Sequence, residues 1–300
     1  MTTYIIIVSY NGMKWLEKCL NSCGDYNVIV VDNASTDNSV SFIKKQYSQI
    51  TLLEQKANLG FGQANNLGIT YALNKGADYV FLLNQDAYLK SNTISELIKV
   101  HKNNSEYAIL SPIQLNGEGN KLDRNFSKYL KYDYNNFFHF DAITKNLSEI
   151  YLVPFVNAAS WLIPKNTLLK VGGFDPLFFH YGEDDNYCQR LRYHKLKVGI
   201  VPHTFVMHDR EFEQKGIDTK TSKYKEWMYK LNWANVNLNN HSEAIKQRIK
   251  ELKNSRINYL LKFNLGGVKQ CNTEMQLIKS ISKRINKSRN TNKTLGKHYI

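Results

Sequence analysis

Three hundred residues, 42% hydrophobic and 22% charged, suit one large domain or two small ones and bury a sizeable core. No apolar run approaches the roughly 18 residues of a membrane-spanning helix, and the opening "MTTYIIIVSY" has neither the basic flank nor the length of a signal peptide, so the chain is expected in the cytoplasm. The net charge of +14 sits mainly in residues 246–297, where fourteen Lys and Arg face only Glu251 and Glu274.

In chain order, residues 4–8 ("YIIIV") read as a buried strand and "MKWLEKCLNSC" as an amphipathic helix. "NVIVVDN" is a second strand, followed by a helix over "STDNSVSFIKKQY" with Ser35 or Thr36 as N-cap. "ITLLEQ" is a third strand, "GFGQANNLGITYALNKG" a helix ended by Gly76, and "YVFLLNQD" a fourth strand. This alternation predicts right-handed crossovers and a mostly parallel sheet, an α/β architecture. After about residue 100 it weakens: "FVNAASWLIPKNTLLKVGGFD" reads as strand, short helix and Gly-Gly turn, "KVGIVP" as a strand, and "TFVMHD" as a short strand ending at His208. Past about residue 215 the pattern turns helical, with Tyr224, Trp227, Met228, Leu231 and Ala234 at three- and four-residue steps. Beyond Asn272 the chain is basic and poor in apolar residues, which predicts a loose end. The domain reading is residues 1–215 and a basic helical extension over 216–300. Cys19, Cys23, Cys188 and Cys271 are expected to be reduced core residues, because no second Cys or His pair completes a metal site.

Parallel sheets bind ligands at the carboxyl ends of their strands, and this chain places "SYNG", "DNAS" and "NQDA" there. Tyr10 is suited to stack on a base, Asp32 to accept hydrogen bonds from base or ribose, and Asp86 to hold a divalent cation on a diphosphate. Asp86 taken alone also has a plain reading as a turn residue that terminates a strand. "GFGQAN" partly matches a dinucleotide fingerprint, but it follows the third strand and its sixth residue is Asn65, so a helix-capping loop is the simpler reading.

"FHYGEDDNYCQRL" places Glu183, Asp184 and Asp185 in a row at the start of a helix whose Tyr187, Cys188 and Leu191 face inward. Acids at a helix N-terminus interact favourably with its dipole, and one or two suffice for that. A third acid beside the aromatics of "FFHY" suggests a carboxylate that takes a proton from a sugar hydroxyl. Capping and catalysis both remain open on the acids alone.

Taken in order, "VSYNG", "VVDNASTD", "NLGFGQANNLGI", "LLNQDA", "GGFDPLFFHYGEDDNYCQRL" and His208 resemble the family 2 glycosyltransferases with the GT-A nucleotide-diphospho-sugar transferase fold. The likeness covers about residues 3–210 and is nearest the bacterial polysaccharide branch that includes rhamnosyltransferase-like enzymes. It implies inverting transfer from a UDP- or dTDP-sugar to a saccharide or lipid-linked acceptor, with Mn2+ or Mg2+ as cofactor. "NQD" occupies the place of the family's DXD motif; Asn84 replaces its first acid and leaves Asp86 as metal ligand, with His208 near the cation. "GEDD" matches the ED motif, whose Asp is the general base. That role falls on Asp184, with Asp185 the register alternative and Glu183 beside them. The resemblance further implies nucleotide-sugar contacts from Val8, Tyr10, Asn11, Asp32, Asn33, Asn66, Asn84, Gln85 and Asp86, and acceptor contacts from Asn157 and Trp161, the latter with a core role as its alternative.

Two rival classes stand beside this reading. A glycoside hydrolase also uses paired carboxylates, but needs neither nucleotide nor cation. A nucleic-acid-binding protein would use the basic tail, which lacks the aromatic interleaving of a stacking platform; no nucleic-acid partner is expected. Attraction to the anionic inner face of the membrane suits that tail better, with a merely solvated face as its alternative.

Overall fold

The structure, a computed structural model, describes residues 1–210 and 221–300. The chain divides into two compact units, Met1–Phe212 with Leu295–Ile300, and Glu213–Thr294. The boundary expected between residues 215 and 216 lies outside the described residues.

The first unit opens with β1 (Thr3–Ser9), α1 (Met13–Ser22), β2 (Asn27–Asp32), α2 (Ser39–Gln46), β3 (Thr51–Glu54), α3 (Phe61–Asn74) and β4 (Tyr79–Asn84). It continues through β5 (Ala87–Leu89), α4 (Thr93–Asn103), β6 (Tyr107–Asn116), a 3-10 turn (Phe126–Leu130), α5 (Phe138–Ile143), β7 (Tyr151–Val153), β8 (Ser160–Pro164), α6 (Lys165–Val171), α7 (Glu183–Tyr193) and β9 (Lys197–His208). The strands form one sheet in the order β3-β2-β1-β4-β8-β6-β9-β5, with β7 on β9. The half read as alternating strand and helix is parallel throughout. Beyond β4 the sheet is mixed, because β8 runs antiparallel to both β4 and β6.

Alternation along the strands fills two layers. Ile5 and Ile7 pack with Leu16 and Cys19 of α1 and Leu97 of α4 on one face, while Ile6 packs with Ala64 and Ile69 of α3 on the other. All four cysteines are buried and free. "KVGIVP" and "TFVMH" form one strand rather than two: β9 pairs Val201 with Pro112 and then Phe205 with Ile113, so an irregularity absorbs the residues between. That shift sets the register in which His208 pairs with Ala87 of β5.

The start of α2 also departs from expectation. Ser35 and Thr36 do not cap it; Asn38 stands at the N-cap position. Their groups are committed elsewhere, since Ser35 Oγ accepts from the Asn11 amide at 2.9 Å and the Thr36 amide donates to Asn11 Oδ1 at 2.8 Å.

The described residues of the second unit form α8 (Ser222–Trp233), α9 (His241–Leu261) and α10 (Leu265–Asn292). Within α8, Tyr229 and Trp233 are the buried residues and stack at 4.2 Å; of the expected stripe, Ala234 just past the helix is buried, while Tyr224, Trp227, Met228 and Leu231 are half-buried. The segment beyond Asn272 is no loose end. Met275, Ile278, Ile281 and Ile285 bury one side of α10, at helical steps that the intervening lysines disguise. Buried Glu274 is held by Lys225, Tyr229 and Arg248, with Arg248 Nη2 donating at 2.6 Å. Buried Arg289 donates to the carbonyls of Trp233 at 3.0 Å and Leu238 at 2.6 Å and to that of Asn235. A buried charge with such partners stays ionised and fixes the packing around it.

Candidate active site

The strand ends supply the first group of side chains. After β1 the chain turns through Asn11 at φ 50°, and half-buried Val8 sits in register with Val31 on one side and Asn84 on the other. Gln85 locks this turn to the end of β4: its Oε1 accepts from the Tyr10 amide at 2.9 Å and its Nε2 donates to the Tyr10 carbonyl at 3.2 Å. A Cβ on Gly12 would lie 2.4 Å from Gln85 Oε1, so only glycine permits this approach. Tyr10 itself is left with an exposed ring. Asp32 is buried; Oδ2 accepts from the Ser35 amide at 3.1 Å, while Oδ1 has no hydrogen-bond partner among the described residues. An unpartnered buried carboxylate oxygen calls for a donor, which a base or ribose can supply.

Two residues expected at the nucleotide are occupied in holding the scaffold. Asn33 is buried, and its amide joins β2 to the loop before α3 through Asn58 Oδ1 at 2.9 Å and the Leu59 amide at 2.8 Å. Asn66 clamps the Gly-Gly turn, exchanging bonds of 2.8 and 2.7 Å with the backbone of Phe174. Trp161 is corrected more sharply: at 0% exposure on β8 it stacks with Phe174 at 5.9 Å and lies 5.8 Å from Tyr187. A ring sealed in the core cannot meet an acceptor sugar, so the core alternative holds. Asn157 is half-buried, and its Oδ1 accepts from Gln114 Nε2 at 2.7 Å.

Asp86 lies in the turn between β4 and β5, 3.3 Å from His208 Nε2. The main chains are tied here too, the Asp209 amide donating to the Asp86 carbonyl at 2.8 Å. Asn84 Nδ2 is 3.5 Å from the same imidazole nitrogen, and its buried Oδ1 has no partner among the described residues. These three side chains offer one carboxylate, one imidazole and one amide oxygen. That set fits Mn2+ readily, whereas Mg2+ favours an all-oxygen shell. No cluster of three or more His, Cys, Asp or Glu among the described residues could hold a metal ion. Donor phosphates and water would therefore have to complete the coordination.

Three partners of this group had no signal in the sequence. Gln114 Oε1 lies 3.3 Å from His208 Nδ1, and Arg210 Nε lies 3.2 Å from the same nitrogen. If Nδ1–H donates to Gln114, Nε2 keeps a lone pair for a cation; if Nδ1 accepts from Arg210, Nε2 carries the proton toward Asp86. Arg210 is also paired with buried Asp123 at 3.1 Å, and Asp123 caps the 3-10 turn through the Phe126 amide at 2.7 Å. These contacts join β6, the loop after it and the end of β9, elements far apart in sequence.

The acids of α7 form the second group. Tyr181 and Gly182 both have positive φ, 66° and 92°, and this left-handed turn starts the helix. Nothing in α7's own side chains caps it. A Cβ on Gly60, itself at φ 79°, would lie 1.9 Å from the Phe179 carbonyl oxygen, and one on Gly62 would lie 2.9 Å from Phe174 Cβ and 3.4 Å from Glu183 Cβ. "GFG" therefore serves close packing of α3 against the approach to α7, and the dinucleotide reading falls away.

Burial first, then the charge of Asp184, pushes the Glu183 carboxyl up to about 8. The same two causes raise Asp185 to about 7. Asp184 is raised by burial, with the amides of Asp185 and Ala158 and the Arg210 cation pulling the other way; Asp184 Oδ1 accepts from the Asp185 amide at 2.9 Å. Near neutral pH the three acids thus carry far less than three charges. Asp184 and Asp185 are half-buried and Glu183 is buried, so a hydroxyl can reach only the aspartates.

Comparison with known proteins identifies the family and the fold. The model of the family described as Glycosyl transferase family 2 matches residues 4–162. The low-salt glycan biosynthesis hexosyltransferase Agl10 of Haloferax volcanii is 23% identical over 73% of this chain and 71% of its own length. Rhamnosyltransferase WbbL of Escherichia coli K12 is 24% identical over 74% of this chain and 88% of its own. Among solved structures, GalNAc-T7 with UDP, GalNAc and Mn2+ superposes with a TM-score of 0.58 at 16% identity, over 77% of this chain but 47% of that one. Staphylococcus aureus TarS with UDP-GlcNAc gives 0.55 at 15% identity, over 98% of this chain and 88% of that one. The fold is GT-A-like, and with the family's own segment spanning β1 to β8, the chain belongs to glycosyl transferase family 2.

Proposed function

We propose that this protein is an inverting glycosyltransferase that moves a sugar from a UDP- or dTDP-sugar to a saccharide or lipid-linked acceptor in bacterial cell-surface polysaccharide synthesis. The observation that carries the mechanism is the start of α7: a half-buried Asp184 with a raised pKa, held by the next residue's amide behind a left-handed turn. Asp184 takes the proton of the acceptor hydroxyl as that oxygen attacks the anomeric carbon from the face opposite the diphosphate. The bond to the diphosphate breaks in the same step, so no covalent sugar–enzyme species forms. Tyr10 stacks on the base and Asp32 Oδ1 accepts from the nucleoside. Asp86, His208 and Asn84 would hold Mn2+ or Mg2+, which when bound would supply positive charge to the leaving diphosphate. Gln114 Oε1, accepting from His208 Nδ1–H, orients the imidazole with its Nε2 lone pair toward the cation, and Arg210 stays paired with Asp123.

The basic helical unit is read as the part that meets the anionic inner face of the membrane, where a lipid-linked acceptor would lie. No helix among the described residues is long and apolar enough to cross a bilayer, so this association would be peripheral.

The test begins with nucleotide-sugar binding, followed by transfer assays on Asp184→Asn. Donor binding should survive while transfer falls by roughly 100-fold or more, the usual scale for a positioned base. A normal Asp184→Asn with an inactive Asp185→Asn would move the role one residue. Sugar release from glycosides without any nucleotide sugar would replace the reading with hydrolysis.

A further inference from the structure

The turn between α9 and α10 exposes five large apolar side chains: Ile257 (52%), Leu260 (49%), Leu261 (75%), Phe263 (92%) and Leu265 (75%). Isolated exposed leucines are ordinary, but a contiguous group at one tip marks an interaction site. The tip is a built turn. The Asn264 side chain caps α10 by accepting from the Gly267 amide at 2.9 Å, and the Asn264 amide donates to the Tyr259 carbonyl at 2.9 Å. Gly267 is buried beneath Tyr259, whose ring lies 2.5 Å from where a Cβ would be. Phe263 sits at φ 51°, a conformation that disfavours bulky residues, and it projects its ring outward. Folding gains nothing from a strained, exposed phenylalanine.

Charge narrows the choice of partner. Residues 252–273 contain no Asp or Glu, while Lys253, Arg256, Lys262 and Lys269 all fall within them. At about 1.5 Å rise per helical residue, Lys269 lies roughly 6 Å along α10 from Leu265 and Lys253 roughly 12 Å along α9 from Leu261. An interfacial segment buries its apolar part roughly 5–10 Å into the headgroup and acyl boundary, and lysine stems reach from that depth back to the phosphates. We infer that the α9–α10 turn is a membrane-inserting tip, its apolar residues entering an anionic leaflet and the lysine collar binding lipid phosphates. This deepens the membrane reading given above by placing the contact in five side chains, and it does not depend on the identity of the sugar.

Flotation with vesicles of equal parts phosphatidylglycerol and phosphatidylcholine tests it, comparing the full chain with Leu261→Asp/Phe263→Asp and with Lys262→Glu/Lys269→Glu. Both altered pairs are exposed, so helicity and melting temperature should match wild type. The aspartate pair should lower vesicle partitioning roughly tenfold or more, since charges resist insertion, and that loss should persist at low salt. The glutamate pair should weaken binding to anionic vesicles. Wild-type flotation that the aspartate pair leaves unchanged overturns the tip while sparing electrostatic association. Failure of the wild type to float overturns both, and nucleotide-sugar binding assays stay independent of either result. Loss of a dimer on sizing, without loss of lipid binding, would assign the patch to a second copy of the chain and overturn the proposal.

Discussion

Glu183→Gln isolates the energetic cost of starting α7 with acids. The Glu183 side chain is 4% exposed, its Oε2 has no hydrogen-bond partner among the described residues, and its pKa rises from the ordinary 4.5 to about 8. A carboxyl raised on folding contributes stability that is complete below 4.5 and lost progressively as pH climbs toward 8. Each pKa unit is worth about 1.4 kcal/mol, so the folded state at pH 7 gives up as much as roughly 3 kcal/mol relative to pH 4.5. Glutamine has nearly the same shape and never ionises, so that loss should vanish. One amide atom would still take the unpartnered Oε2 position, which costs about 1–2 kcal/mol at every pH; the slope against pH is therefore a sharper readout than the absolute value. Urea denaturation from pH 5 to pH 8.5 should show wild type weakening more steeply than Glu183→Gln, whose remaining slope belongs to the raised Asp184 and Asp185. Because Glu183 is already uncharged near neutrality, transfer at pH 7 should change by no more than severalfold. Parallel pH curves for the two proteins would refute the reasoning and mean that Glu183 is ionised in the folded state.

Asp86→Ala should abolish stimulation by Mn2+ and weaken nucleotide diphosphate binding, measured by calorimetry with and without the metal; activity indifferent to chelator in wild type would leave neutralisation of the diphosphate to His208 and Arg210. Gly60→Ala should destabilise the first unit by at least about 2 kcal/mol, because a left-handed φ alone costs roughly 1–2 kcal/mol for an L-residue and the added Cβ would overlap the Phe179 carbonyl. It should also depress transfer, since relief of that overlap must displace the approach to Asp184.

The parallel half of the sheet was legible because each of its strands is a continuous apolar run ending in a polar cluster. Sequence reading therefore placed Tyr10, Asp32 and Asp86 at strand ends and Asp184 at a helix start, where the structure has them. What it missed depends on pairings between distant segments. Gln114, Asp123 and Arg210 meet only because β6 and β9 run side by side. Trp161 misled because an aromatic near an acceptor segment looks the same in sequence whether a layer covers it or not; Phe174 and Tyr187 cover it. Asn33 and Asn66 lie in motifs associated with the nucleotide, yet their side-chain amides are used up on scaffold partners, the Asn58 side chain and the backbones of Leu59 and Phe174. In α10, lysines between the isoleucines diluted a helical pattern into apparent disorder.

Residues Leu295–Ile300 belong to the first unit. His298 accepts from the Gly173 amide at 2.8 Å, the Gly296 amide donates to Lys170 at 2.8 Å, and the Arg190 guanidinium lies between the rings of Tyr187 and Tyr299, at 5.1 and 5.5 Å. Gly172 makes room, since a Cβ there would lie 2.2 Å from the His298 carbonyl oxygen. In topological terms the helical unit is an insertion, tethered at both ends, rather than an appendage. A stop codon near residue 240 would strip the strap from Arg190 as well as removing helices, so lost activity in such a truncation would say nothing about membranes. Excision of the helical unit with the strap rejoined through a flexible linker separates the two effects. The strap would then dock at the effective concentration set by linker length, and adding the six residues as a free peptide to the truncated protein would measure how much of the first unit's stability depends on that connection.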